Sequence, residues 1–175
     1  MSKLRGFLTN LGKYNEGDLI GEWVDLPIDE DELKEVFNRI GINNEYEEYF
    51  WTDWECDIPE LCDTIGEYMN IDEANELAER VENVEVPAAF AAALELFGNP
   101  DEAFEKADDM ICIGEVNLNM DRTIGEHYKE LLFDGIECEF RDTLERYFDC
   151  ESYGRDIRLE GSFIEVDGYV WEYVG

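Results

Sequence analysis

His127 is the only histidine in the chain, and the five cysteines are Cys56, Cys62, Cys112, Cys138 and Cys150. A nucleophilic site needs a base held against its nucleophile, and usually leaves a local signature around it. No such signature surrounds any of these residues. A zinc site needs paired Cys or His ligands at short spacing, and no Cys-x-x-Cys occurs. The expectation is five reduced cysteines packed as small hydrophobes, with His127 as a packing or surface residue. Asn117-x-Asn119-x-Asp121 copies the first ligand positions of an EF-hand loop. Arg122 then stands where that loop needs Gly, and Tyr128 where it needs the bidentate Glu. Gly12 and Gly17 flank Lys13-Tyr14-Asn15-Glu16, but a P-loop lysine must follow its second glycine, and Asp18 follows Gly17. Carboxylate pairs suited to glycoside hydrolysis could be drawn in many ways, and nothing singles one out. No catalytic residue, metal or cofactor is therefore expected, and the chain reads as a non-enzyme.

What abounds is carboxylate. The chain has 175 residues, with 46 Asp and Glu against 13 Lys and Arg, for a net charge of −33. That is far beyond the roughly 2–8 charges that keep a small domain soluble. Residues 1–60 hold 16 acids and 5 bases, residues 61–110 hold 14 and 2, and residues 111–175 hold 16 and 6. The excess is thus uniform along the chain and not confined to a tail. Hydrophobic residues at 45% and aromatics at 13% argue against a disordered acidic segment. So few cations exclude binding of nucleic acid through a basic surface and docking on an anionic membrane. No apolar run is long enough to span a bilayer. Met1-Ser2-Lys3-Leu4-Arg5 leads into no stretch of signal-peptide length, so a cytoplasmic location is expected. Like charges destabilise a compact state. Three uses would explain their retention: imitation of a polyanion, adaptation to high salt, or multivalent cation binding.

The elements that must carry this charge are readable from periodicity. Residues 4–26 read as a β-hairpin turning at Gly12–Gly17. Asp29 to Glu32 open a helix carrying Leu33, Val36, Phe37 and Ile40, which Gly41 stops. Residues 48–56 read as a third strand. Strand signals then vanish. Leu61, Ile65 and Tyr68 suggest a short helix. Asp72 caps a second, with Ala74, Leu77, Ala78 and Val81 facing inward. Pro87–Leu94 forms a third, and Asn99-Pro100 opens a fourth. A strand over Met110–Ile113 follows, then helices near 123–132 and 137–148. Two final strands, 156–166 and 169–174, meet at Asp167-Gly168, a strong hairpin signal. The expected fold class is α+β, an elongated multi-domain chain. It comprises a small mixed domain over 1–60 (three-stranded antiparallel sheet plus helix), a central helical domain over 61–108 and a mixed C-terminal domain over 109–175. Asp72, Glu73, Glu76, Glu79, Glu82 and Glu85 recur at short helical steps with Arg80 the nearby cation. A row of like charges that weakens its own helix suggests use.

Four blocks in order resemble one family. Leu11-Gly12-Lys13-Tyr14-Asn15-Glu16-Gly17, with Gly21-x-Trp23 and Pro27-Ile28-Asp29, looks like the start of the ArdA antirestriction proteins. Tyr46-Glu47-Glu48-Tyr49 with Asp53-x-Glu55 is similar to a second block. Asn75-Glu76-Leu77 resembles part of the central region, and Tyr153-Gly154-Arg155-Asp156 with Gly161-x-Phe163 resembles the C-terminal block. The stretch from Met110 to Tyr153 departs most from the family pattern. The resemblance implies an elongated, three-domain, homodimeric DNA mimic encoded on mobile elements and acting in the bacterial cytoplasm. It would occupy the DNA groove of type I restriction–modification enzymes, at the methyltransferase core. Its carboxylates would stand for phosphates: Asp53, Glu55, Asp72, Glu73, Glu76, Glu79, Glu82, Glu85, Asp101, Glu102, Asp108, Asp109, Glu115, Asp121 and Glu126. The family places dimer contacts between Met110 and Tyr153, where Ile136, Phe140 and Leu144 fall at four-residue steps.

The charge arithmetic agrees with this picture. Duplex DNA carries one charge per about 1.7 Å, so 33 charges match about 56 Å of duplex. A compact sphere of this length is only about 40 Å across. Two other classes stay open at this point: a salt-adapted acidic domain, and an acidic scaffold for basic DNA-binding proteins.

Overall fold

The computed structural model describes residues 3–134 and 139–175; Ile136 and Cys138 lie outside the described residues. The fold is mixed α+β, and the chain divides into two compact units, Met1–Pro87 and Ala88–Gly175.

Unit one contains β1 (Leu4–Asn10), α1 (Leu11–Glu16), β2 (Gly21–Leu26), α2 (Glu30–Ile40), β3 (Tyr49–Cys56), α3 (Pro59–Cys62) and α4 (Ile71–Glu82). Its sheet is antiparallel in the order β2-β1-β3. Leu4, Leu8, Val24, Leu26, Val36, Ile40 and Trp51 are buried and form the core. The β1–β2 hairpin is present, but its expected turn is a helix. Asn10 caps α1 by accepting from the Lys13 amide at 3.0 Å, and Gly17 closes it in the left-handed region at φ 95°. An N-cap and a C′ glycine seven positions apart outweigh the turn propensity of the six residues between them. Asn10 is fully buried, and its amide also donates to the Ile40 carbonyl at 3.1 Å, fastening the end of α2. Lys13 Nζ donates to Glu16 and to the Tyr46 hydroxyl, each at 2.8 Å, and Tyr46 donates to the other Glu16 oxygen at 2.8 Å. Those bonds from Lys13 and then Tyr46 hold the Glu16 carboxyl below its ordinary range.

Capping explains α2 and α4. Asp29 accepts from the amides of Asp31 and Glu32, as its position before the helix predicts. For α4 the cap is Asn70 and not Asp72. Asn70 accepts from the Glu73 amide at 2.9 Å while Glu73 returns to the Asn70 amide, a capping box. The signal was Asn70-x-x-Glu73 at the start of the apolar stripe. The short helix expected to carry Leu61, Ile65 and Tyr68 is the single turn Pro59–Cys62, which includes Leu61 but ends before Ile65, and Tyr68 is exposed.

Unit two contains α5 (Pro87–Phe97, starting on the last residue of unit one), α6 (Pro100–Lys106), a single 3₁₀ turn (Ala107–Asp109), β4 (Met110–Glu115), α7 (Met120–Phe133), α8 (Arg141–Tyr147), α9 (Cys150–Glu160), β5 (Ser162–Val166) and β6 (Tyr169–Tyr173). Its sheet is antiparallel in the order β4-β6-β5. Asp167 and Gly168 both have positive φ, 52° and 78°, as the β5–β6 hairpin requires. Residues 156–160 are helical and not the start of a strand. Asp149 caps α9 by accepting from the Ser152 amide at 3.0 Å, and the strand begins only after Gly161.

The α7–α9 crossing is set by two glycines. A Cβ on Gly125 would lie 1.8 Å from the Cys150 carbonyl oxygen, and one on Gly154 1.8 Å from the Asp121 carbonyl oxygen. Backbone, not a pliable side chain, blocks both. We therefore expect Gly154→Ala to force the helices apart and destabilise the protein by about 3 kcal/mol or more, as overpacking against backbone does. A thermal melt followed by circular dichroism checks this; an unchanged midpoint would contradict the crossing.

Candidate functional site

The carboxylates take their positions from the buried faces beneath them. In α4, Ile71, Ala74, Leu77, Ala78 and Val81 are buried. That stripe turns Asp72, Glu73, Glu76 and Glu79 outward, all exposed, with Glu82 half-buried at the end. Two sets of uncharged bonds help hold this helix. The Asn75 side chain accepts from the Ile28 amide at 2.8 Å and donates to the Ile28 carbonyl at 2.9 Å. Trp51 Nε1 donates to the Met69 carbonyl at 2.8 Å, just before α4 begins. The sequence reading did not find the role of Asn75. Its signal was an amide on the buried side of an otherwise acidic helix.

The spacing on α4 is quantitative. Five carboxylates fall within its 12 residues. At 1.5 Å per residue the helix is about 18 Å long, so it carries one carboxylate per about 3.6 Å. One strand of B-DNA carries one phosphate per 3.4 Å. Arg80 offsets one of the five.

Elsewhere some cations tie elements together and others pair within their own helix. Arg39 on α2 grips Glu22 on β2 at 2.6 Å. Arg5 lies over the Trp23 ring at 4.8 Å and stands 3.5 Å from Asp25 and from Glu55. Lys106 lies 4.0 Å over the Phe97 ring and reaches Glu102 at 3.7 Å. In unit two, Arg122 pairs with Glu126 at 2.9 Å, and Arg158 pairs with Asp121. The Asn117 side chain and then Arg122 hold the Glu126 carboxyl below its ordinary range. A cavity of about 810 Å³ is lined by Arg122, Lys129, Arg141 and Arg146, with Glu126, Glu130, Asp134 and Glu145 among them. Its cations and carboxylates balance, so it offers no anion site.

The other predicted positions divide accordingly. Asp53, Glu85, Asp101, Asp108, Asp109 and Glu115 are exposed, as are Glu55 and Glu102 beside their cations. Asp121 and Glu126 are half-buried within their ion pairs. Phe140, just before α8, and Leu144 on it are exposed, while Ile136 is outside the described residues. The EF-hand-like residues have other work. Asn119 caps α7 by accepting from the Arg122 amide at 2.8 Å, and Asn117 donates to Glu126 at 2.7 Å. His127 meets Tyr128 edge-on at 5.2 Å. The Tyr128 phenol, pushed up to about 12 by burial and by its bond to Glu172, stays neutral. Burial pushes the Cys62 thiol up to about 11, so it is a poor nucleophile at neutral pH. Among the described residues no group of three or more His, Cys, Asp or Glu could hold a metal ion. No described helix is long and apolar enough to cross a membrane.

A model of the family described as antirestriction protein (ArdA) matches residues 7–171. No curated protein matches the chain at a significant level. The family match spans nearly all of the 175 residues, and the chain belongs to the ArdA antirestriction family.

The unbalanced surface gives a direct expectation for stability. Raising NaCl from about 10 to about 200 mM shortens the screening length from about 30 Å to below 10 Å. Self-repulsion falls, and the melting midpoint should rise by about 3–10 °C, with the protein already folded at the low-salt end. A midpoint indifferent to salt would mean that the charges do not burden the fold. Unfolding at low salt would favour a salt-adapted domain.

Proposed function

We propose that this protein acts as a mimic of B-form DNA and inhibits type I restriction–modification enzymes by occupying the DNA groove of their methyltransferase core. Membership of the antirestriction family supports the target class. The observation that carries the mimicry is the outer face of α4, whose carboxylates approach the linear charge density of a DNA strand. Carboxylates there and on Asp53, Glu55, Asp101, Glu102, Asp108, Asp109 and Glu115 take phosphate positions against the enzyme's Lys and Arg side chains. Glu82, Glu85, Asp121 and Glu126 complete the set proposed from the sequence. Asp121 and Glu126 contribute through the overall field, since each is half-buried within its ion pair.

The working form in this reading is an elongated homodimer in the cytoplasm of the bacterial host. Its regions are 1–60, 61–108 and 109–175. Ile136, Phe140 and Leu144 supply contacts between copies. Exposed Phe140 and Leu144 suit that role. Encounter is steered by the opposed fields of the acidic protein and the basic groove, so association is fast and weakens with salt. The inhibitor needs no chemistry and no cofactor.

A competition experiment tests this. A fluorescent duplex bearing a type I recognition site is bound to the methyltransferase core, and the protein is titrated in. Displacement near one dimer per enzyme is expected, with no binding of the protein to the duplex alone. A single change such as Glu79→Gln should weaken displacement by no more than about fivefold, because one exposed ion pair contributes at most about 1 kcal/mol. The combined Asp72→Asn, Glu73→Gln, Glu76→Gln and Glu79→Gln variant should lose well over tenfold. Failure of the folded wild-type protein to displace the duplex would overturn the proposal.

A further inference from the structure

A polyanion alone would hold its target only by salt-sensitive attraction. Unit one carries one feature that a phosphate backbone lacks. Between α2 and α4 runs a groove of about 390 Å³ whose apolar lining is Leu33, Phe37, Tyr49 and Ile71. Asp72, Glu73 and Glu76 stand on its α4 side. The Phe37 and Tyr49 rings lie 5.4 Å apart at an interplanar angle of 34°, and both are half-exposed. Among the described residues no cation lines the groove. Lys34, next to Leu33 in sequence, pairs instead with Glu30 and Asp31 at 3.8 and 3.2 Å.

We propose that this groove is a docking site for an arginine side chain from the basic groove of the target enzyme. Charge complementarity selects a cation, since the rim holds three carboxylates and nothing to balance them. The aromatic lining selects arginine over lysine. A planar guanidinium stacks on a ring face and can present paired N–H donors to a carboxylate at its edge, which a strongly hydrated ammonium does less well. The apolar stem of the arginine then covers Leu33 and Ile71. Stacking and apolar burial are screened less than exposed ion pairs, so this contact should persist at salt concentrations that weaken the rest of the interface. The groove would thus fix where the mimic sits along a target whose electrostatics alone set no register. This inference rests on the proposed inhibition of the methyltransferase core.

The test is the same displacement assay with paired variants. Leu33→Arg fills the groove with the protein's own cation. Leu19→Arg makes the same charge change at an exposed residue that does not line the groove. Leu33→Arg should weaken displacement by roughly tenfold beyond Leu19→Arg, the size of one well-packed anchor, and the gap should widen as salt rises. Phe37→Leu keeps the apolar bulk and removes the ring, and should cost roughly three- to fivefold, in line with loss of one cation–π contact. Circular dichroism confirms that each variant folds; if Leu33→Arg does not, Phe37→Leu decides. Equal effects of the two arginine variants, or no effect of Phe37→Leu, would overturn the docking site and leave the mimicry standing. No displacement by the wild type would instead remove the reading on which the site depends.

Discussion

Mutual repulsion among 46 carboxylates, with 13 Lys and Arg to offset it, is the constraint under which every other contact here works. Neither sheet nor helix can rely on surface ion pairs when acids so outnumber bases, and exposed pairs contribute at most about 1 kcal/mol each. The structure answers with buried apolar faces and uncharged hydrogen bonds. Trp51, Leu4 and Leu8 anchor unit one, and Phe90, Ile124 and Val170 are fully buried in unit two. Some of the few cations join elements distant in sequence, as Arg39 joins α2 to β2 and Arg158 joins α9 to α7, while Lys34 and Arg122 pair within their own helices.

Helix ends absorb part of the load. Asp29, Asn70, Asn99, Asn119 and Asp149 cap five helices with side-chain oxygens. Acids follow in the first turns of the same helices, including Glu30 to Glu32, Asp72 and Glu73, and Asp101 and Glu102. There the positive end of the macrodipole favours a carboxylate by about 0.3–1 kcal/mol. Many short helices offer more such ends than a few long ones. The fragmentation of the chain into brief helices and the size of its charge are thus compatible for one physical reason.

Much of this was legible in the sequence because its signals are local. Apolar periodicity gave α2, an alanine-rich run after a proline gave α5, aromatic alternation gave β3, and Asp167-Gly168 gave the last hairpin. The misplacements came where caps competed with composition. Asn10 and Gly17 make a helix of a segment that reads as a turn, Asn70 takes the cap expected of Asp72, and Asp149 with Ser152 extends a helix over residues read as strand. For the candidate site, the acidic row on α4 was visible from its spacing. The Asn75–Ile28 bonds and the groove beside Phe37 and Tyr49 were not, since both join segments far apart in the chain.

The Asn75 hook has an evolutionary consequence. Because a neutral amide pair fastens α4 from behind, its attachment does not depend on the glutamates of its front, apart from Glu73, which closes the capping box with Asn70. The other acids on that face can change position, or exchange Asp for Glu, without loosening the scaffold, so long as enough remain. Anchors such as Asn75, Asn10 and Gly154 have no such latitude. Under the proposed mimicry, lineages of this protein should therefore diverge fastest on the acidic face of α4 and slowest in the neutral fittings behind it. An inhibitor built this way can follow a changing adversary by redistributing charge, while its architecture stands still.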